Sequence, residues 1–160
     1  LDPRPKVTAF GDSVLLGSSR ALEEVFNVDL HAQVAEQAAD LRGRIESQVA
    51  AGTVGDLALV HVGNNGIVTE EQLRGMLDAL SGVPRVILVT VRVPRAWMDP
   101  NNALIARIAP DYPNVVLVDW AEASSENRDF LVKDGVHLTS EGSREYTSLI
   151  AEAAGVETEQ

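Results

Sequence analysis

Val86-Ile87-Leu88-Val89 carries no polar side chain at any position. A strand with one solvent face alternates apolar and polar residues, so a run that is apolar throughout suits a strand covered by helices on both faces. The same holds for Leu57-Ala58-Leu59-Val60 and for Val115-Val116-Leu117-Val118. Working outward from these runs, strands are predicted at Leu57–Val62, Arg85–Val91 and Val115–Asp119, with two more at Val7–Phe10 and Val28–His31. Helical stretches fall between them, at about Leu15–Phe26, Ala39–Ala51, Thr69–Leu80, Asn101–Ile108 and Ser140–Ala154. Thr69 and Gln72 have the spacing of a capping box, and Ser140 is the expected cap of the last helix, with Glu141 in its first turn. Pro84 and Pro113 fall in the loops just before strands. Strands alternating with helices predict an α/β fold in three layers, α/β/α: a flavodoxin-like, doubly wound, parallel five-stranded sheet.

The 160 residues fit a single domain, 1–160, and 45% hydrophobic residues exclude a disordered chain. The net charge of -11 repels phosphate backbones and argues against a nucleic-acid partner. Without cysteine there is no disulfide and no thiolate metal site, and the three histidines lack metal-ligand spacing, so neither metal nor cofactor is expected. No apolar run approaches the ~20 residues that span a bilayer. The chain opens on Leu1-Asp2-Pro3-Arg4-Pro5 rather than methionine, which leads us to expect a processed protein or an excised domain. The tail, Glu157–Gln160, is expected to fray.

In a doubly wound sheet, ligands bind at the carboxyl ends of the strands. The residues capable of chemistry gather there. The first strand runs directly into Gly11-Asp12-Ser13-Val14, Gly63-Asn64-Asn65-Gly66 follows the third, and Arg92-Val93-Pro94-Arg95 follows the fourth. A serine hydroxyl becomes a useful nucleophile only beside a base. His137 is the candidate base, and Asp134, three residues earlier in Asp134-Gly135-Val136-His137, can orient it. Asn65 is the candidate oxyanion donor, together with the backbone N–H of Ser13. Asp12 is expected to brace the turn outside the triad. Candidate substrate contacts are Asn64, Arg92, Arg95 and Val136. His31 and His61 are expected to be structural, and Trp97 and Trp120 to pack in the core, with pocket lining as the alternative for both. Each motif also has an ordinary alternative: Asp12 or Ser13 as a helix cap, Gly63–Gly66 as a turn, Asp134 and His137 as caps of the next helix.

Together the motifs resemble the SGNH (GDSL-type) hydrolase superfamily. Gly11-Asp12-Ser13-Val14 is similar to its first block, Gly63-Asn64-Asn65 to its third and Asp134-Gly135-Val136-His137 to its fifth. Val91-Arg92-Val93-Pro94-Arg95, Val118-Asp119-Trp120 and Gly142 extend the resemblance to the extracytoplasmic catalytic domain of peptidoglycan O-acetyltransferases of the OatA type. That resemblance implies Ser13 as nucleophile, His137 as base, Asp134 as its orienting partner and Asn65 as oxyanion donor. The second block departs from the pattern: Ala35 stands where a glycine is expected, and its N–H would be the remaining oxyanion donor.

The resemblance further implies an acetyl donor delivered by a membrane acyltransferase domain and a cell-envelope glycan acceptor. It also implies a location at the extracytoplasmic face of the membrane, on a domain expected to be monomeric by itself. A free-standing carbohydrate esterase with the same acyl-enzyme, and a non-catalytic glycan-binding module on the same fold, are the alternatives.

Overall fold

The computed structural model describes residues 1–158. Of the tail expected to fray, Glu159 and Gln160 lie outside the described residues. The chain runs β1 (Lys6–Gly11), α1 (Ser13–Glu23), β2 (Asn27–Ala32), α2 (Ala38–Ala50), β3 (Leu57–His61), α3 (Glu70–Ala79), β4 (Arg85–Val89), α4 (Met98–Ile108), β5 (Val115–Val118), α5 (Trp120–Ser125) and α6 (Ser140–Ala154). Single 3-10 turns occupy Ala109–Asp111 and Arg128–Phe130. All strand pairs are parallel, in the order β2-β1-β3-β4-β5. This is the flavodoxin-like winding, with its switch point between β1 and β3.

The apolar runs of β3 and β4 serve two faces, whereas in β5, at the sheet edge, Val116 and Leu117 are exposed and the expected cover on both faces is not found. Phe10, Ala58, Val60, Val86 and Leu88 point into a core shared with Leu41, Ile45, Leu73, Leu77 and Ile105 of α2, α3 and α4. Their neighbours Ala9, Leu59, Ile87 and Val89 point into a second core with Leu15, Leu22, Trp120, Tyr146 and Ile150 of α1, α5 and α6. The period of two, apolar on both sides, is therefore the direct cause of the three layers.

The differences from the predicted elements have local causes. The capping box forms: Thr69 Oγ1 accepts from Gln72 N at 3.1 Å, and Gln72 Oε1 accepts from Thr69 N at 3.0 Å. The cap of α6 is Thr139, not Ser140, because Thr139 Oγ1 accepts from Gly142 N at 3.1 Å and leaves Ser140 as the first helical residue. Helix α4 starts three residues before the predicted Asn101, since Pro100 falls in a first turn, where its missing N–H is not needed. Strand β4 stops at Val89 rather than Val91, because the backbone of Val91 pairs with the side chain of Asn102. Helix α5 is six residues long, too short to register a helical period. Asp119, expected to end β5, caps it by accepting from Glu122 N.

His61, the last residue of β3, is fully buried and its ring packs against Tyr146 of α6. Its Nε2 lies 3.0 Å from Thr90 O and its Nδ1 2.8 Å from the Tyr146 hydroxyl. A carbonyl can only accept, so Nε2 carries the proton and Nδ1 accepts from Tyr146. Burial pushes the imidazole pKa below the ordinary 6.5, against an opposing pull from Asp12 and the Thr90 carbonyl. The same burial raises the Tyr146 hydroxyl well above its usual value. Because the unfolded chain then binds a proton more readily at this position, the stability held by neutral His61 is complete above pH 6.5 and is lost as pH falls below it. Urea titrations from about pH 6.5 down to about pH 5 should show declining stability, with a shallower slope in His61→Gln.

Candidate active site

Asp12 joins β1 to α1 without a loop. Its extended backbone caps the helix, its Oδ1 accepting from Val14 N at 2.9 Å, and it is 2% exposed. A Cβ at Gly11 would meet Leu15 Cδ2 at 2.8 Å and His61 O at 3.1 Å, so only glycine lets the helix start so close to the strand end. Ser13 becomes the first residue of α1. It sits at the positive end of the helix, beside the switch point, with its hydroxyl free of capping duty.

That hydroxyl lies 2.9 Å from His137 Nε2. The other ring nitrogen, Nδ1, lies 2.6 Å from Asp134 Oδ2. Asp134 Oδ1 also accepts from Val136 N at 2.8 Å and His137 N at 2.9 Å, which folds the segment into a tight turn with Gly135 at φ +72°. Val132 N donates to His137 O at 2.9 Å and ties the turn to the preceding chain. Partial desolvation pulls the Asp134 carboxyl upward, but hydrogen bonds from the His137 ring and from the Val136 and His137 N–H groups outweigh it and hold the carboxyl below its ordinary 3.8. The side chains of His137 and Asp134 are each 46% exposed, so the relay opens directly to solvent. Chemically it is a hydroxyl, a base and a carboxylate that fixes the base's tautomer, in one line.

The structure separates the two neighbouring asparagines after β3. Asn65 is half-buried and donates through Nδ2 to Glu36 O at 3.2 Å. An amide carries two hydrogens, so one remains for an oxyanion. Asn64, the candidate substrate contact, is turned away from solvent. It is 5% exposed, and its Nδ2 donates to Asp12 Oδ2 at 2.9 Å, which makes it a brace between the β3 loop and the start of α1. The chain bends at Asn64–Gly66, and of the two asparagines Asn64 is buried while Asn65 stays half-exposed.

Ala35, beside Glu36, is the one non-glycine residue with positive φ among those described, at +61°. The missing block-two glycine thus has a backbone meaning: the chain adopts there a left-handed conformation that favours glycine. Ala35→Gly should relieve that strain by more than it loosens the unfolded chain. The expected gain is roughly 0.5–1 kcal/mol in a urea unfolding titration, and a loss of stability would contradict this reading of the turn.

Arg92 is half-buried and Arg95 exposed on the loop after β4, where Arg95 Nη1 donates to Pro94 O at 2.9 Å. Pro94 lies against Gly135, so this loop borders the His137 turn. Val136 is half-buried and contributes its N–H to Asp134. Trp120, 1% exposed, is core, stacked on Phe130 and edge-on to Tyr146. His31 stacks on Phe10. Trp97 is half-buried and donates through Nε1 to Asn64 O at 3.2 Å. Gln37, Asn101 and Asn102 bear on these loops too and carry no sequence signal, because their work is hydrogen bonding to backbone that is distant in the chain. Among the described residues, no group of three or more His, Asp or Glu side chains is placed to hold a metal ion.

No family model matches the chain. It is 34% identical over 146 residues to the peptidoglycan O-acetyltransferase OatA of Listeria monocytogenes, which takes in 91% of this chain and 23% of that protein. The chain spans about a quarter of the length of the curated relatives it matches. Its fold superposes on the C-terminal catalytic domain of Streptococcus pneumoniae OatA with a TM-score of 0.81 at 19% identity, covering 95% of this chain and 93% of that one. It superposes on Axe2, an acetyl xylan esterase from Geobacillus stearothermophilus, with a TM-score of 0.75 at 18% identity, covering 98% and 97%. The homologues of this chain are therefore OatA-type peptidoglycan O-acetyltransferases, and its fold is that of the SGNH (GDSL-type) hydrolases.

Proposed function

We propose that this chain is an O-acetyltransferase domain that moves an acetyl group, through an ester on Ser13, to a hydroxyl of a cell-envelope glycan. The observation that carries the reading is the unbroken hydrogen-bonded line from Ser13 Oγ through His137 to Asp134. The homology to OatA supplies the substrate class. His137 Nε2 takes the Ser13 proton as Oγ bonds to the acetyl carbonyl carbon. The oxyanion so formed accepts hydrogen bonds from the N–H of Ser13, the N–H of Ala35 and the free hydrogen of Asn65 Nδ2. Collapse breaks the bond to the donor's leaving oxygen, which receives the proton from His137. In the second half, His137 takes the proton of an acceptor hydroxyl as that oxygen attacks the acetyl-Ser13 carbonyl. Ser13 leaves with the proton, and the glycan carries the ester.

Water can replace the acceptor in the second half and release acetate. The solvent exposure of His137 and Asp134 favours this hydrolytic reading as a second activity of the same site. Product analysis with an aryl acetate donor, with and without muropeptide acceptors, separates the two. Acetylated glycan is expected with acceptor present, whereas acetate alone across all glycan acceptors would leave an esterase.

In the reading we favour, residues 1–160 form one catalytic domain tethered to a membrane acyltransferase at the extracytoplasmic face, monomeric when isolated. That membrane protein supplies the acetyl group. No helix among the described residues is long and apolar enough to cross a membrane, so the tether would be a separate segment.

A further inference from the structure

The segment Gly63–Gly66 carries Asn65 but has no strand or helix partner for its backbone. Its carbonyls are taken one after another by side chains. Gly63 O accepts from Asn101 Nδ2 at 3.0 Å, Asn64 O from Trp97 Nε1 at 3.2 Å, Asn65 O from Gln37 Nε2 at 3.0 Å, and Gly66 O from Asn101 Nδ2 at 2.8 Å. Asn101 Oδ1 in turn accepts from Val68 N at 2.9 Å. Asn101 is 1% exposed, and both its amide nitrogen and its oxygen are committed to this one loop. The loop is shaped to admit it. Gly63 has φ +112°, and a Cβ there would meet Asn101 Nδ2 at 3.0 Å.

The next residue repeats the device on the neighbouring loop. Asn102 Nδ2 donates to Val91 O at 2.9 Å and its Oδ1 accepts from Val91 N at 2.8 Å, just before Arg92. Successive helical residues point about 100° apart, so one turn of α4 reaches two loops of the site.

A buried amide facing an apolar core is costly unless every hydrogen bond is made, and a fully satisfied one specifies a single loop geometry. Oxyanion stabilisation depends on donors fixed before the charge develops. We propose that Asn101 is a positioning residue for the acyl-transfer step: through the backbone of Gly63–Gly66 it sets where Asn65 Nδ2 points, while Asn102 sets the adjoining loop. The inference rests on the acyl-transfer reading of Ser13.

Asn114 provides a matched control. Its Nδ2 donates to Leu80 O at 3.0 Å and Val83 O at 2.9 Å, bracing a loop at the opposite edge of the sheet by the same chemistry. The experiment compares Asn101→Ala and Asn114→Ala by aryl acetate hydrolysis, thermal melting and hydrogen exchange at the Val68 amide. In Asn101→Ala, kcat is expected to fall about 10²- to 10³-fold with KM within about twofold, as for loss of an oxyanion donor, and Val68 exchange should accelerate. Asn114→Ala should melt lower but keep its kcat. If Asn101→Ala does not fold, Asn101→Gln, which displaces the amide by one methylene, carries the comparison; if neither folds, the residue serves the fold and the inference is overturned. Equal kcat in folded Asn101 and Asn114 variants also overturns it. An inactive wild type, or an active Ser13→Ala, instead removes the acyl-transfer reading and is told apart by that control.

Discussion

Ser13→Ala is expected to lower kcat/KM for an aryl acetate by about 10⁴- to 10⁶-fold while barely changing the melting temperature. The hydroxyl is the atom that would form the ester, and its partner is His137 Nε2 at 2.9 Å. What remains without it is the residual effect of the oxyanion donors and of binding. A drop of about 10⁵ corresponds to about 7 kcal/mol of barrier, far more than one ordinary hydrogen bond contributes to stability. Stability should hold because the cap of α1 is Asp12, whose Oδ1 accepts from Val14 N, and alanine suits the first helical position. Steady-state kinetics with a parallel melting curve reads both quantities. A large loss of stability would mean that Ser13 serves the fold, and unchanged kinetics would remove it from the chemistry.

Asp134→Asn is the second large effect, with an expected fall in kcat of about 10³- to 10⁴-fold. Asp134 Oδ1 receives two backbone N–H groups while Oδ2 faces His137 Nδ1 at 2.6 Å. Asparagine can keep the backbone bonds through its oxygen, so the turn survives. Its NH2 group then faces Nδ1 and forces that nitrogen to accept. The proton moves to Nε2, where His137 would donate to Ser13 instead of taking its proton. A variant with an intact melting curve and lost activity is the signature of a wrong tautomer. Retention of activity within about tenfold would show that solvent orients His137 adequately without the carboxylate.

The layers and the relay were legible because each leaves a pattern in linear sequence. Runs such as Val86–Val89 announce a strand buried on both faces, and the two cores bear this out residue by residue. Ser13 at a strand end and Asp134 three residues before His137 are spacings that chemistry constrains. The placement of Asn64 was not legible, since it turns inward to a partner, Asp12, that is distant in the chain. Nor were Gln37, Asn101 and Asn102, whose partners are carbonyls rather than side chains. Every residue has a carbonyl, so no residue type marks such a partner. Ala35 shows the same limit in another form. Its departure from glycine is visible in sequence, but the left-handed backbone that gives the departure meaning is visible only in three dimensions.

The most direct test of the proposed chemistry is intact-protein mass spectrometry after rapid mixing with an aryl acetate and acid quench. The wild-type chain is expected to gain the mass of one acetyl group, mapped by peptide sequencing to Ser13, and Ser13→Ala to gain none. Turnover by the wild type with no acetyl on Ser13 at any quench time, together with undiminished turnover by Ser13→Ala, would contradict a Ser13 acyl-enzyme.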